Sequence, residues 1–487
     1  MAIYSTSALT VADHSITATY SGDKNYNSST SPALKQSVIS KEASDFINAL
    51  ADSLVKSMEK DEESRQSYEK AAAAGDAKAM YSLGLLYDTD TLGIGLSLDY
   101  QKAREWFEKA AAAGNTDAMD KLGDIYDDGD GVPQDYQQAR QWYEKAAAGG
   151  SAAAMTSLGV IYGDGYGVPQ NYQQSRQWFE KAAAAGSAGA MHNIGYYYEN
   201  GQGVPQDYVQ ARQWYEKAAA AGSAEAMASL GYLYVTGHGV PQDYTQARQW
   251  FEKGADAGSA NAMYDLGSLC ASGQGGPQDY KKAIDEYQAA AARGSVEAMY
   301  SLGTLYFNGQ GVPQDFQQAR QWYQKAAAAG SADAMATLGY LYDAGQGVPQ
   351  DYLQARQWYE KAASGGNAGA MFNLGVLYYT GHGVSQDYQQ ARQWYEKAAA
   401  ARSAGAMASL GYLYYVGQGV PQDYQLARQW YEKAAAAGNA DALYTLGVIY
   451  DSGQGVTQNH QQALQWYEKA AAAGSEAAKA KLQETPK

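Results

Sequence analysis

Apolar and polar positions along this chain follow two helical rhythms that return together every 36 residues. One full copy, SAGAMHNIGYYYENGQGVPQDYVQARQWYEKAAAAG, runs from Ser187 to Gly222. In its first half Ala190, Met191, Ile194, Gly195 and Tyr198 fall at helical spacing, which predicts one apolar stripe on a helix. In its second half Ala211, Tyr215, Ala218 and Ala219 make a second stripe. Ser187 is placed to cap the first helix, as Asn115 and Asn367 are in other copies. Asp117, Glu225, Glu297 and Asp333 put negative charge into first turns, where the helix dipole favours it. Gly201-Gln202-Gly203 ends the first helix and Pro205 blocks its continuation. Asp207 caps the second helix, with Gln210 three residues on in a capping-box-like arrangement, and Gly222 closes the unit. The prediction is an αα-hairpin whose helices cannot bury their stripes alone, so that neighbouring copies must stack.

The methionine of the first stripe recurs at Met119, Met155, Met191, Met227, Met263, Met299, Met335, Met371 and Met407, then as Leu443, always 36 residues apart. An earlier copy centres on Met80, 39 residues before Met119. Glycine stands mid-helix in all eleven copies, from Gly84 to Gly447. It costs about 1 kcal/mol there relative to alanine. Its recurrence implies that a neighbouring helix comes too close for a side chain. The expected organisation is all-α: eleven repeats over 76–474, capping helices over 41–75, and a short capping helix and tail over 475–487. Phe46, Ile47, Leu50, Leu54 and Met58 carry the helical pattern of the leading cap. Before it, Ile16, Ala18 and Tyr20 alternate with polar residues as in a strand, Gly22-Asp23 makes a turn, and Leu34, Gln36 and Val38 form a weaker strand. Residues 1–40 are too few for a core of their own and are expected to be a hairpin or disordered.

A length of 487 residues would suggest about three globular domains, but a solenoid grows along one dimension without enlarging its core. The net charge of −16 argues against nucleic acid and against an anionic membrane surface. It suits a soluble rod. The single cysteine, Cys270, excludes an intrachain disulfide and a cysteine-based metal site. No apolar run reaches the roughly 18 residues of a spanning helix. The first residues have neither a basic start nor an apolar stretch, so the chain as written is expected in the cytoplasm.

Ile194, Gly195, Tyr198, Gly201, Gly203, Ala211, Trp214, Tyr215, Ala218 and Ala219 make a pattern that holds from copy to copy over about four fifths of the chain. It resembles the Sel-one-like repeat family, a branch of the tetratricopeptide type. The resemblance implies a right-handed α-solenoid that serves as an adaptor or scaffold for protein complexes, with first helices lining a concave surface and no shared catalytic residue. A cysteine-rich branch has been linked to penicillin binding and β-lactam hydrolysis, and this chain lacks its paired cysteines. The stretch HSITATYSGDKNY is similar to the last strands of bacterial immunoglobulin-like domains of surface proteins. If the N-terminus is truncated, a periplasmic or surface location follows instead of the cytoplasm.

Because the copies align with one another, variable positions can be read within this one sequence. Three of them, spaced four and three apart on the first helix, share a face. The residue after the methionine includes His192, Tyr264, Tyr300, Phe372 and Tyr444. Four on come Tyr196, Tyr232, Tyr340 and Tyr412. Three further on come Phe307, Tyr379 and Tyr415. A wall rich in tyrosine with variable chemistry suits recognition of a protein or an extended peptide, since the rings give contact area with a polar tip. The same rings would also serve simply to pack adjacent helices.

Other signals are weaker. The copy from Ser259 has Cys270 for tyrosine, Gly276 for valine and Ile284-Asp285-Glu286 for Arg-Gln-Trp, which makes it a candidate bend or local partner site. Arg402 replaces the closing glycine. Asp88-Thr-Asp90-Thr-Leu-Gly93 with Asp99 faintly follows a calcium loop, with Leu92 where an oxygen ligand belongs. His238 and His382 share a loop position but lie four repeats apart, too far to hold one metal. Ser53 with Lys56, and Ser57 with Lys60, fit S-x-x-K without the accompanying SDN and KTG elements. The Gly-x-Gly loops follow helices, so a dinucleotide fingerprint lacks its context. The expectation is a non-catalytic, cofactor-free, metal-free interaction scaffold, monomeric and not membrane-inserted. The alternative is a cell-envelope module binding glycan or peptidoglycan, and behind it a β-lactam-active enzyme.

Overall fold

The computed structural model describes residues 64–88 and 99–484, together with four short strand segments upstream. The chain divides into two compact units, Met1–Ser187 and Ala188–Lys487. In the first unit, β1 (Ser15–Ile16) pairs antiparallel with β4 (Leu34–Lys35), and β2 (Thr19–Tyr20) pairs with β3 (Ser29–Thr30) between them. Ile16, Tyr20 and Leu34 of the alternating pattern thus lie in ladders, and Ser29–Thr30 adds an inner one that the alternation does not pick out. Helix α1, whose described part covers 64–73, leads into α2 (Ala77–Asp88), α3 (Tyr100–Ala112), α4 (Thr116–Asp128), α5 (Tyr136–Ala148), α6 (Ala152–Asp164) and α7 (Tyr172–Ala184).

The second unit continues with α8 (Ala188–Asn200), α9 (Tyr208–Ala220), α10 (Ala224–Thr236), α11 (Tyr244–Asp256), α12 (Ala260–Ser272), α13 (Tyr280–Ala292), α14 (Val296–Asn308) and α15 (Phe316–Ala328). It ends with α16 (Ala332–Ala344), α17 (Tyr352–Ser364), α18 (Ala368–Thr380), α19 (Tyr388–Ala400), α20 (Ala404–Val416), α21 (Tyr424–Ala436), α22 (Ala440–Ser452), α23 (His460–Ala472) and α24 (Glu476–Glu484). The leading-cap residues Phe46 to Met58, the Gly22-Asp23 turn, the two S-x-x-K segments and most of the Asp88–Gly93 loop lie outside the described residues.

Local chemistry explains the regularity. Ser223 Oγ accepts from the Ala226 N–H at 3.2 Å, and Asn115 and Asn367 Oδ1 do the same for Ala118 and Ala370 at 2.8 and 2.7 Å, so orphan donors at the first-helix starts are satisfied. Asp207 Oδ1 accepts from the Val209 and Gln210 N–H groups at 2.9 and 3.0 Å. The reciprocal half of a capping box is absent, because the Asp207 N–H instead donates to the Tyr198 carbonyl at 2.8 Å. The loop glutamine supplies a further clamp: Gln206 Nε2 donates to the Glu199 carbonyl at 2.8 Å. First helices end in left-handed glycines such as Gly237, with φ of 75°.

The core is a string of clusters, most of them confined to one hairpin and the next, with a larger one running from Ala228 of α10 to Leu305 of α14. Ala211, Tyr215, Ala218 and Ala219 of α9 bury against Ala226, Leu230 and Leu233 of α10, with Trp250 of α11 closing the cluster. The same composition recurs between α15 and α16 and between α17 and α18. Mid-helix glycines sit under an aromatic ring of the second helix of their own hairpin. A Cβ on Gly339 would lie 2.5 Å from Tyr359 Cδ1, and one on Gly195 would lie 2.6 Å from the Tyr215 ring and 3.2 Å from the Ala211 carbonyl. The close approach read from the sequence is therefore made first by a ring and then by backbone. Among the described residues only Arg402 combines a side chain with a left-handed backbone, at φ of 66°.

Candidate functional site

The three variable positions of the first helix meet different fates. At the first, the rings are half-buried and tilted against a ring of the second helix. His192 packs on Tyr215, Tyr264 on Tyr287, Tyr300 on Tyr323, Phe372 on Tyr395 and Tyr444 on Tyr467, with ring centroids 5.3 to 5.7 Å apart and planes 31 to 47° from parallel. They cover the rings that sit on the mid-helix glycines. At the third position Phe307, Tyr379 and Tyr415 pack on the opening residue of their own second helix, Phe316, Tyr388 and Tyr424. The Tyr379 hydroxyl donates to Gln418 Oε1 of the next repeat at 2.9 Å, and Tyr415 makes the same bond to Gln454.

The middle position is different. Tyr196, Tyr232, Tyr340 and Tyr412 are 45, 49, 44 and 45% exposed, far more than the rings around them. Of the twelve residues picked from the sequence, these four present an open aromatic surface, and the other eight mainly pack. A complementarity between positions underlies three of the four, Tyr196 standing open although His192 fills the first position of its copy. Where the first position carries Tyr264, Tyr300, Phe372 or Tyr444, the middle one is Ser268, Thr304, Val376 or Val448. Where it is Ala228, Ala336 or Ala408, the middle one is Tyr232, Tyr340 or Tyr412. In those three copies alanine stands in place of the covering ring, and Phe251, Tyr359 and Tyr431 nonetheless stay buried, at 1, 0 and 5% exposure. Comparing the two columns pairwise within the sequence would have revealed this exchange.

At Ala408 the space opens into a cleft of about 440 Å³ lined by Tyr379, Tyr395, Ala408, Ser409, Tyr412, Leu413, Tyr431, Asp441, Ala442 and Thr445. The Tyr379 and Tyr412 rings meet edge to face there, 6.4 Å between centroids. Carboxylates share the face. Tyr215 donates to Glu199 Oε2 at 2.5 Å and Tyr359 to Asp343 Oδ2 at 3.3 Å. Burial, then the adjacent carboxylate, pushes both phenols well above their ordinary range. The hydroxyls stay protonated and hold those carboxylates one turn beyond Tyr196 and Tyr340.

The divergent copy has a cavity of its own, about 400 Å³, lined by Glu252, Ala255, Asp256, Met263, Leu266, Lys282 and Glu286. Ten copies place tryptophan where Glu286 stands, with a lysine ammonium 3.7 to 4.5 Å from the ring centroid. Glu286 and Ala289 remove both members. Lys282 instead bonds Glu252 of the preceding repeat at 2.8 Å, and Cys270 is fully buried, its thiol pushed up by burial. His238 and His382 stack on Tyr208 and Tyr352 at 4.4 and 4.6 Å. Asp99 caps α3 by accepting from the Lys102 N–H at 3.1 Å. Among the described residues no cluster of three or more His, Cys, Asp or Glu is placed to hold a metal ion, and no helix is long and apolar enough to cross a membrane.

Stacked helical hairpins with short local cores and a variable first-helix face define an α-solenoid repeat protein. The Sel1 repeat pattern matches eleven consecutive segments, 77–115, 116–151, 152–187, 188–223, 224–259, 260–295, 296–331, 332–367, 368–403, 404–439 and 440–475, and the chain belongs to the Sel1 repeat family. The chain is similar to a protective antigen of uropathogenic Escherichia coli displaying an SLR fold, at 36% identity and a TM-score of 0.58, covering 87% of this chain and 91% of that one. It is also similar to a Sel1 repeat protein from Oxalobacter formigenes, at 34% identity and a TM-score of 0.50, covering 63% of this chain and 90% of that one. No curated protein matches the chain.

Proposed function

We propose that this protein is a non-catalytic scaffold that binds protein or extended-peptide partners on the face formed by its first helices. The observation that carries the reading is the exposure of Tyr196, Tyr232, Tyr340 and Tyr412 at one helical position, 44 to 49% each. Rings held open at regular intervals give large contact area at little entropic cost, with a hydroxyl for orientation. Several such surfaces in one chain multiply weak contacts into avidity. The fold is one used for protein interaction.

The test is affinity capture by the full chain and by a variant carrying Tyr196→Ala, Tyr232→Ala, Tyr340→Ala and Tyr412→Ala, after circular dichroism shows equal helicity. Partners retained by the wild type are expected to be lost by the variant, and peptide competitors are expected to displace them. Equal capture by both baits overturns the assignment of the face. Displacement by cell-wall fragments and not by peptide replaces protein recognition with glycan recognition.

A further inference from the structure

We infer that the cleft at Ala408 is a socket for an arginine side chain of a bound peptide. The inference rests on the first-helix face being the binding face and adds the chemistry of what enters it.

Three observations converge on a cation. First, Ala408 puts no second ring over the buried Tyr431, and Tyr379 and Tyr412 stand edge to face at 6.4 Å beside it. The cleft of about 440 Å³ is therefore walled by π-surfaces. A guanidinium stacks on such faces as well as attracting their negative quadrupole. Second, Asp441 in the first turn of α22 lines the same cleft, and no lysine or arginine lines it. The other two alanine copies have Asn261 and Gly369 at that place, so of the three only the Ala408 copy sets its exposed tyrosine beside a carboxylate of the next repeat. Third, the charge of the face is one-sided. In residues 188–487 the three variable positions carry Glu199, Asp343 and Asp451 and no lysine or arginine at all. A basic segment is drawn to this face, and an acidic one is repelled.

A fork of donors fits the geometry better than a point charge. The planar head lies against Tyr412 while its N–H groups reach Asp441 and the Thr445 hydroxyl. An aliphatic guest would leave Asp441 and Thr445 without a contribution.

The chain's own copies supply substitutions that the fold accepts. Ala408→Phe reproduces Phe372 of the preceding repeat, whose ring covers Tyr395, and so fills the socket. Asp441→Asn reproduces Asn261. The probes are a Gly-Ser peptide with one central arginine and the same peptide with citrulline, which keeps the shape and loses the charge. Binding to the full chain is measured by saturation-transfer NMR at low and moderate salt. The arginine peptide is expected to bind, weakly and with salt sensitivity. The citrulline peptide, Ala408→Phe and Asp441→Asn are each expected to weaken binding about three- to tenfold. Equal binding of both peptides, indifference to Ala408→Phe, or no binding at millimolar peptide overturns the inference. If any of these occurs while partner capture still depends on the four tyrosines, the socket falls and the face stands. If capture ignores the tyrosines, the face itself falls.

Discussion

Asp265 shows how much one repeat position depends on its neighbour. The ring that sits on each mid-helix glycine is tyrosine in most copies, and its hydroxyl meets a polar residue of the next first helix: Tyr143 with Ser157, Tyr215 with Ser229, Tyr287 with Ser301, Tyr359 with Asn373, Tyr395 with Ser409. In the copy before the divergent one the ring is Phe251, which has no hydroxyl, and the residue placed to meet it is Asp265. Its carboxylate has no hydrogen bond or ion pair among the described residues, and burial alone pushes its pKa up to about 6 from 3.8. The native state then holds the proton more tightly than the unfolded chain, so stability falls as pH rises from about 4 to about 6 and stays reduced above that. Asp265→Asn removes this penalty. It is expected to stabilise the protein by about 1–2 kcal/mol at pH 7, once partial solvent exposure is allowed for, and by almost nothing at pH 4. Urea unfolding of both proteins at the two pH values reads the difference, and an equal effect at both would show that the carboxylate is not the cause. Arg402 carries a different cost at the same scale: its left-handed backbone, φ 66°, stores about 1–2 kcal/mol that glycine in the other copies avoids.

The helical hairpin is the scale at which sequence and structure agree most closely, and one glycine illustrates why. Propensity alone says that Gly339→Ala in the middle of α16 should stabilise by about 1 kcal/mol. The Tyr359 ring, 2.5 Å from where the Cβ would stand, reverses the sign, because overpacking of this kind costs about 1–3 kcal/mol. Thermal unfolding of Gly339→Ala is therefore expected to show a net loss, and a gain would mean that the ring can move aside. The recurrence of that glycine, the Ser and Asn caps, the Gly-x-Gly-Val-Pro loop and the alternating apolar stripes were all legible from the sequence, since each is fixed by contacts within one hairpin or with the next. The candidate face was legible only as a face. Tyr264 and Tyr232 look alike in the sequence, yet one covers Tyr287 and the other stands open, because the outcome depends on which of two adjacent positions carries the ring. A capping box at Asp207 and Gln210 was expected from local spacing alone, and the Tyr198 carbonyl claims the N–H that it needed. Glu286 was visible as a departure, but the cavity it leaves follows only from seeing that tryptophan and lysine are lost together.

At the scale of the molecule the decisive fact is that burial is local. Ala319, Tyr323, Ala326 and Ala327 share a cluster with Ala334, Leu338 and Leu341, and Ala355, Tyr359, Ala362 and Ala363 share the next one with Ala370, Leu374 and Leu377. Met335 touches both clusters, but no side chain reaches beyond the adjoining repeats in either. Stability in such an arrangement is close to a sum of repeat and nearest-neighbour terms, so damage should spread one interface at a time. Partner binding would use the same property, since a peptide bridging several first helices ties together repeats that are otherwise coupled only to their neighbours. Gly339→Ala gives a way to see this directly by hydrogen exchange with mass spectrometry on the intact chain. The strain enters where Tyr359 meets α16, so protection is expected to drop in α15 to α18, the helices of the two clusters that Met335 joins. Helices α10 and α22, several repeats away on either side, are expected to keep wild-type exchange. Uniform loss of protection through the second unit would mean that it unfolds as one cooperative body, and the description of its core as a string of independent clusters would have to be given up.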